Sequence, residues 1–266
     1  MAQQQSKVPP RGQAARRAGT RPSPERRSPP GSGRGGLPRK YLYGLALLLA
    51  IALVVVVVVA TVTGGSSKAA SRSRSAVGYT LPDGTKVYGP LGPENVPLEV
   101  GPQLAPANAA LTGATIDGVQ CGTTEQLAYH HHVHLALFVD GKPYSMPLGV
   151  GMAPTVQVSQ TAKGPFADGS TKCLYWLHVH APDGIVHIES PEVRTFELGQ
   201  VFDIWHVDLS STRLGSYSGK LTATINGKPW TGDPKQIPLD EHAQIVLNLG
   251  GPVISPPPIS WSGTGL

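Results

Sequence analysis

The stretch "LAYHHHVHLALFVDG", Leu127 to Gly141, sets four histidines within five residues and then runs through an apolar strand into a turn. Successive side chains of a strand point to opposite faces. His130, His132, His134 and Phe138 therefore share one face, and His131, Val133, Leu135, Leu137 and Val139 share the other. The second set is apolar from Val133 onward and is expected to face a core. The first then projects three imidazoles to one side of a sheet, at a repeat of about 6.5–7 Å. Asp140-Gly141 closes the strand into a hairpin.

A second histidine-bearing stretch, "CLYWLHVHAPDGIVHIES", reads as two β-rich runs around the turn Pro182-Asp183-Gly184, where Pro presets φ and Gly accepts a positive φ. His178 and His180 form an H-x-H pair, and His187 lies in the return strand with Glu189 on its face. Register decides what His187 does. A four-residue loop, Ala181 to Gly184, sets His187 opposite His178. A type I turn with a Gly bulge sets it opposite Val179 and turns it away, and the "PDG" sequence favours the bulge. His178 and His180 are thus expected to act together before His187.

H-x-H on a strand lets two rings lean toward one point, and zinc and copper take imidazole nitrogens at about 2.0–2.1 Å with further ligands from elsewhere. The metal-ligand pool expected is His130, His132, His134, His178, His180 and His187. Two other readings compete with it. The rings could form a stacked polar surface or core, or a pH-responsive cluster, since imidazole titrates near neutrality. His206 and His242 are expected to be structural.

Catalysis without metal has little support. The chain has no G-x-S-x-G elbow, phosphate-cradling loop or H-E-x-x-H, and no dinucleotide fingerprint set between a strand and a helix. Cupins also use H-x-H on a strand, with a glutamate a few residues later. Here Glu189 follows His180 by nine residues, so that pattern fails. A metal-dependent hydrolase or oxidase would need an open coordination position and a base such as Glu189. The chain is read as a binding protein rather than an enzyme.

Around these strands, "TFELGQVFDIWH" gives one short helix, with Leu198, Val201, Phe202 and Trp205 on one face and Thr195 as N-cap. "KLTATINGKPWTG" gives a hairpin at Asn226-Gly227, "HAQIVLNLG" a last strand, and "GPVISPPPISW" an extended tail. "LALFVDGKPY" and "LTATINGKPW" share the pattern L-x-x-x-[VI]-[DN]-G-K-P-[YW], either as an internal repeat or as two hairpins converging on one turn. The fold class expected is mainly β (α+β), and the order strand, helix, hairpin, strand over residues 185–249 fits a β-grasp-like arrangement.

The rest of the chain is organised by charge. Residues 1–40 hold ten Lys/Arg against Glu25, a net +9, while the whole chain carries +5, so the remainder sums to −4. This Pro-, Gly-, Ser- and Arg-rich segment cannot bury enough apolar surface to order itself and is expected to be a disordered cytoplasmic tail. Its charge is read as a topology determinant near anionic lipid, so no nucleic acid is expected. Tyr41 to Ser67 contains no charged residue, and Leu42–Val62 is almost wholly apolar, long enough to span a hydrocarbon core of about 30 Å. Residues 41–63 are expected to be a transmembrane helix contacting lipid. Arg39 and Lys40 on its N-terminal flank send the C-terminal part across a plasma membrane, outside the cytoplasm. A cleaved signal peptide competes with this reading, but its apolar region is shorter and its lead-in briefer.

Residues 64–114 read as a Pro/Gly/Ser-rich stalk, and residues 115–266 as the His-rich domain. Cys121 and Cys173, the only cysteines, both fall in the exported part and suggest one disulfide closing a loop of about fifty residues. Two buried thiols or two soft metal ligands are the alternatives.

"YHHHVHL", "CLYWLHVH" and "GIVHIESP", with the helix and the last hairpin, make residues 115–266 resemble an uncharacterised family of exported, membrane-anchored bacterial proteins with His-rich strands. The family pattern reads His-Thr-His where this chain has His178-Val179-His180, which keeps both imidazoles. The resemblance implies a single exported domain behind an anchor or signal segment. The functional expectation is a bound Zn or Cu ion on the His-rich sheet face. A different class is an envelope interaction module whose partner is a protein or cell-wall polymer, with no metal.

Overall fold

The computed structural model describes residues 74–266. The segments expected to be a disordered basic tail (1–40), a transmembrane helix (41–63) and the head of a stalk (64–73) lie outside the described residues. Among the described residues no helix is long and apolar enough to cross a membrane.

Chain order brings β1 (Tyr88–Leu91) and β2 (Pro97–Glu99), then β3 (Cys121–Gly122), β4 (Tyr129–Val139) and β5 (Lys142–Tyr144). β6 (Val156–Thr161) and β7 (Gly164–Ser170) pair with each other. β8 (Leu174–Tyr175), β9 (Leu177–His178) and β10 (Ile185–Ser190) lead to the helix α1 (Leu198–Trp205). After it come β11 (Leu209–Ser210), β12 (Arg213–Leu214), β13 (Tyr217–Ser218), β14 (Leu221–Ile225), β15 (Lys228–Trp230) and β16 (Gln244–Leu249). The described part is mainly β with one α-helix.

The main sheet runs β15-β14-β16-β4-β10-β9, with β5 paired to the end of β4. β4 and β16 are parallel at its centre, and every other pair in it is antiparallel. Val133, Leu135, Leu137 and Val139 of β4 enter the larger core with Ile245 and Leu247 of β16 and Leu198, Val201, Phe202 and Trp205 of α1. The apolar face read from the alternation is therefore the one the helix covers.

The other face of β4 is covered as well. Ala136 and Phe138 pack with Ile185 and with Ala76, Val87, Tyr88, Val96 and Ile259. Ala76, Val87, Tyr88 and Val96, which fall in the segment expected to be a stalk, thus pack as a layer on the sheet. Pro and Gly keep residues 74–104 out of long strands, but the apolar residues between them fill a sheet face. The Glu99 N–H also donates to the Pro182 carbonyl at 3.0 Å. The C-terminal tail is bound too. The Gln244 side chain donates to and accepts from the Ile259 backbone, and Asn248 does the same for Ile254.

Both expected tight turns form. Asp140 and Gly141 have φ of 47° and 73°, and Asn226 and Gly227 have 51° and 75°, the paired positive values of a type I′ turn. The two similar decapeptides adopt equivalent registers, Leu137 opposite Tyr144 and Ala223 opposite Trp230. Their strands, β4 and β14, flank β16 on either side.

The helix starts at Leu198 with Glu197 as N-cap, not at the expected Thr195. Residues 196–198 are first held in extended pairing: Leu239 N–H donates to the Phe196 carbonyl and Leu198 N–H to that of Ile237. The Glu197 N–H then donates to Gln200 Oε1 at 2.9 Å, one arm of a capping box. Cys121 and Cys173 form a disulfide, joining the start of β3 to the lead into β8.

Candidate metal centre

β4, β10 and β9 lie side by side, and their register sets the site. His132 stands opposite His187, His130 opposite Glu189, and His187 opposite His178. Side chains directly opposite in an antiparallel pair share a face, so all five project together. The bulged register expected at Pro182-Asp183-Gly184 is not adopted. Instead, Val179 to Pro182 hydrogen-bonds away from β10, to Val150, Ala167 and Glu99. Asp183 Oδ1 accepts from the Ile185 N–H at 3.2 Å and restarts the strand. His187 consequently points into the cluster rather than away from it.

Three of the imidazoles are fixed from behind. His178 Nδ1–H donates to the Tyr175 carbonyl at 2.8 Å, and His180 Nδ1–H to that of Ala167. His187 Nε2–H donates to Glu94 Oε1 at 2.8 Å. A neutral imidazole carries one proton, so His178 and His180 present bare Nε2 lone pairs to each other across 3.1 Å. Such lone pairs repel unless a cation lies between them. Burial, reinforced by the neighbouring imidazoles, lowers the pKa of both rings, His178 well below its ordinary value. A proton is therefore a poor occupant. Two nitrogens on a tetrahedral zinc ion stand about 3.3 Å apart, close to the spacing seen.

One ligand atom from each of His178, His180, His187 and Glu189 lies within 4.8 Å of the others, as do those of His130, His132 and His187. His132 Nε2 is 3.1 Å from His187 Nδ1 and 3.0 Å from His130 Nε2. Glu189 Oε1 lies 3.3 Å from His130 Nε2, 3.5 Å from His187 Nδ1 and 3.8 Å from His178 Nε2. Glu189 Oε2 is buried without a partner, an orphan acceptor of the kind a cation satisfies. This buried His/Glu cluster can hold a metal ion.

Burial opposes charge on His187, but Glu189 and Glu94 outweigh it and raise its pKa to about 9. His132 moves the other way, to about 2, through burial and the neighbouring His187 and His130. The surroundings thus favour the charged form of His187 and the neutral form of His132, His178 and His180.

His134 does not join the cluster. It stands opposite Ile185, packs its ring 5.9 Å from Tyr88, and leaves Nε2 without a partner. Burial lowers its pKa to about 4. The face it shares with His130 and His132 continues past the polar strip into the second apolar cluster. His131, on the opposite face, donates Nε2–H to the Leu239 carbonyl at 2.7 Å. His206 caps the helix in the left-handed conformation, and His242 stacks on Trp261.

Two acids were invisible to the sequence reading. Glu94 sits in the β1–β2 turn, in the segment read as a stalk, and nothing in "GPENVP" marks it as a partner of His187. Glu125, at the rim, comes within 3.7 Å of His180 Nε2. A carboxylate behind a metal-ligating imidazole fixes its tautomer and strengthens it as a ligand. Glu94→Gln is therefore expected to lower metal affinity about 10–100-fold while leaving the ligands in place, as read by competition against a chromophoric chelator.

Comparison with protein-family models, with curated proteins and with solved structures gave no match.

Proposed function

We propose that this is a single-pass, membrane-anchored protein whose domain outside the cytoplasm binds a transition metal, zinc or copper, through its His-rich sheet face. The observation that carries the reading is the His178–His180 pair. Two carbonyl-backed imidazoles turn unprotonated nitrogens toward each other in a buried site, with His187 and Glu189 within reach. Nitrogen donors with one carboxylate, and no thiolate or thioether, suit Zn(II) or Cu(II). His178, His180, His187 and Glu189 would hold the ion, and Glu94 would orient His187. The ion would supply a fixed positive charge and tie β9 and the residues just after it to β10.

The disulfide supports placement in an oxidising compartment. The apolar run over residues 41–63, with its basic flank, supports an anchor in the plasma membrane with the N-terminus cytoplasmic. The order β10-β4-β16-β14, with its inner pair parallel and α1 between β10 and β14, supports a β-grasp-like assignment.

Elemental analysis of the detergent-solubilised chain after dialysis tests the metal reading. Retained zinc or copper, lost in a His178→Ala/His180→Ala variant, is the expected result. An unaltered chain that emerges metal-free and takes up neither ion would leave an anchored β module, with an envelope protein or cell-wall polymer as its remaining candidate partner.

A further inference from the structure

The cluster offers more ligands than one ion uses. Five imidazoles and the Glu189 carboxylate converge, whereas a structural zinc ion takes four donors. The donors also fall into two kinds. His178, His180 and His187 each have the far nitrogen tied to an acceptor, and all three are buried. His130 and His132 have no such backing among the described residues, and the His130 side chain is 34 % exposed. With its Nε2–H held by Glu94, His187 has one lone pair to give, so it serves a single ion.

We propose, building on the metal reading above, that the centre holds two ions. An inner position is formed by His178, His180, His187 and one oxygen of Glu189. An outer position is formed by His130 and His132 with the other oxygen of the same carboxylate. Among the described residues His187 and Glu189 stand between the two sets of donors, and of these the carboxylate has two oxygens to give while His187 Nε2 is held by Glu94. Glu189 Oε1 reaches toward His130, His178 and His187, and Glu189 Oε2 is buried and unpaired. The outer ion completes its shell with water, which reaches the cluster at His130. Without acceptors behind its imidazoles, the outer position binds about 10–100-fold more weakly than the inner one.

The test is equilibrium dialysis of the full chain in detergent against buffered zinc, and separately copper, with bound metal counted per chain. The expected result is two ions taken up in two steps. His130→Ala/His132→Ala should keep only the tighter step, its affinity changed less than about threefold. His130→Ala alone, at a partly exposed position, should weaken the second step and guards against misfolding of the double variant. A saturating stoichiometry of one ion per chain overturns the two-position proposal and leaves the metal reading standing, as does loss of both ions in the His130→Ala variant. No uptake of either metal overturns both.

Discussion

A His187→Ala protein is expected to lose most of the thermal stabilisation that zinc or copper gives the unaltered chain, which should melt about 5–11 °C higher at a hundredfold excess of ion over Kd. A ligand that binds only the folded state at that excess contributes about 2.7 kcal/mol. For a unit the size of Ala70–Leu266, each kcal/mol moves Tm by about 2–4 °C. His187 is the residue whose loss does most, because it is a donor to the tighter inner position, stands next to both ligand groups and carries the tie to Glu94. Its removal also strips Glu94 and Glu189 of a buried partner, so the metal-free variant should itself melt lower. The informative quantity is therefore the difference with and without metal, followed by calorimetry or near-ultraviolet circular dichroism. His187→Asn, which keeps a polar group beside the two acids, separates ligand loss from carboxylate repulsion. A proton competes for the His187 Nδ1 lone pair, because that ring's pKa is raised to about 9, so the metal-dependent increment should shrink as pH is lowered from 7 to 5. An undiminished increment in His187→Ala would place the ion elsewhere.

The second large effect concerns the covalent tie. Removing it in Cys121→Ala/Cys173→Ala is expected to cost about 4 kcal/mol, because the bridge spans a sequence separation of 52 residues and restricts the unfolded chain accordingly. Thermal melts of the metal-free variant should fall by about 8–16 °C. The loop it closes contains β4, β5, β6 and β7, so the bond limits how far the first histidine strand can wander from the lead into β8 and β9. Reductant should reproduce the shift in the unaltered chain and leave the variant unmoved. A change below about 2 °C would mean that sheet packing alone already fixes this loop.

Local chemistry explains what could be read in advance. Asp140-Gly141 and Asn226-Gly227 specify their turns through the backbone angles those residues tolerate, and β4 announces its core face by alternation. The two cysteines have only each other among the described residues. The helix was legible from Leu198, Val201, Phe202 and Trp205, but its start was not, because pairing of Phe196 with Leu239 lies outside any local window. Register between β9 and β10 failed for the same reason. The turn residues favoured a bulge, and the choice was made instead by Val150, Ala167 and Glu99, distant in sequence. His130, His132, His178, His180 and His187 could be named as a pool. That His134 leaves it depends on Tyr88, and that Glu94 joins it depends on a turn folded back across the sheet. Both come from a segment whose Pro and Gly content resembles that of a linker.

That folded-back segment has a practical consequence for anyone trimming the chain for laboratory work. A recombinant fragment begun at residue 115 would lack Glu94 and would strip Ala136, Phe138 and Ile185 of the cover given by Ala76, Val87, Tyr88 and Val96. Its ion would be held by a His187 free to choose the wrong tautomer, and its sheet would offer a sticky flank to other copies. Fragments intended to report faithfully on the centre should retain Ala76 at one end and Ile259 at the other.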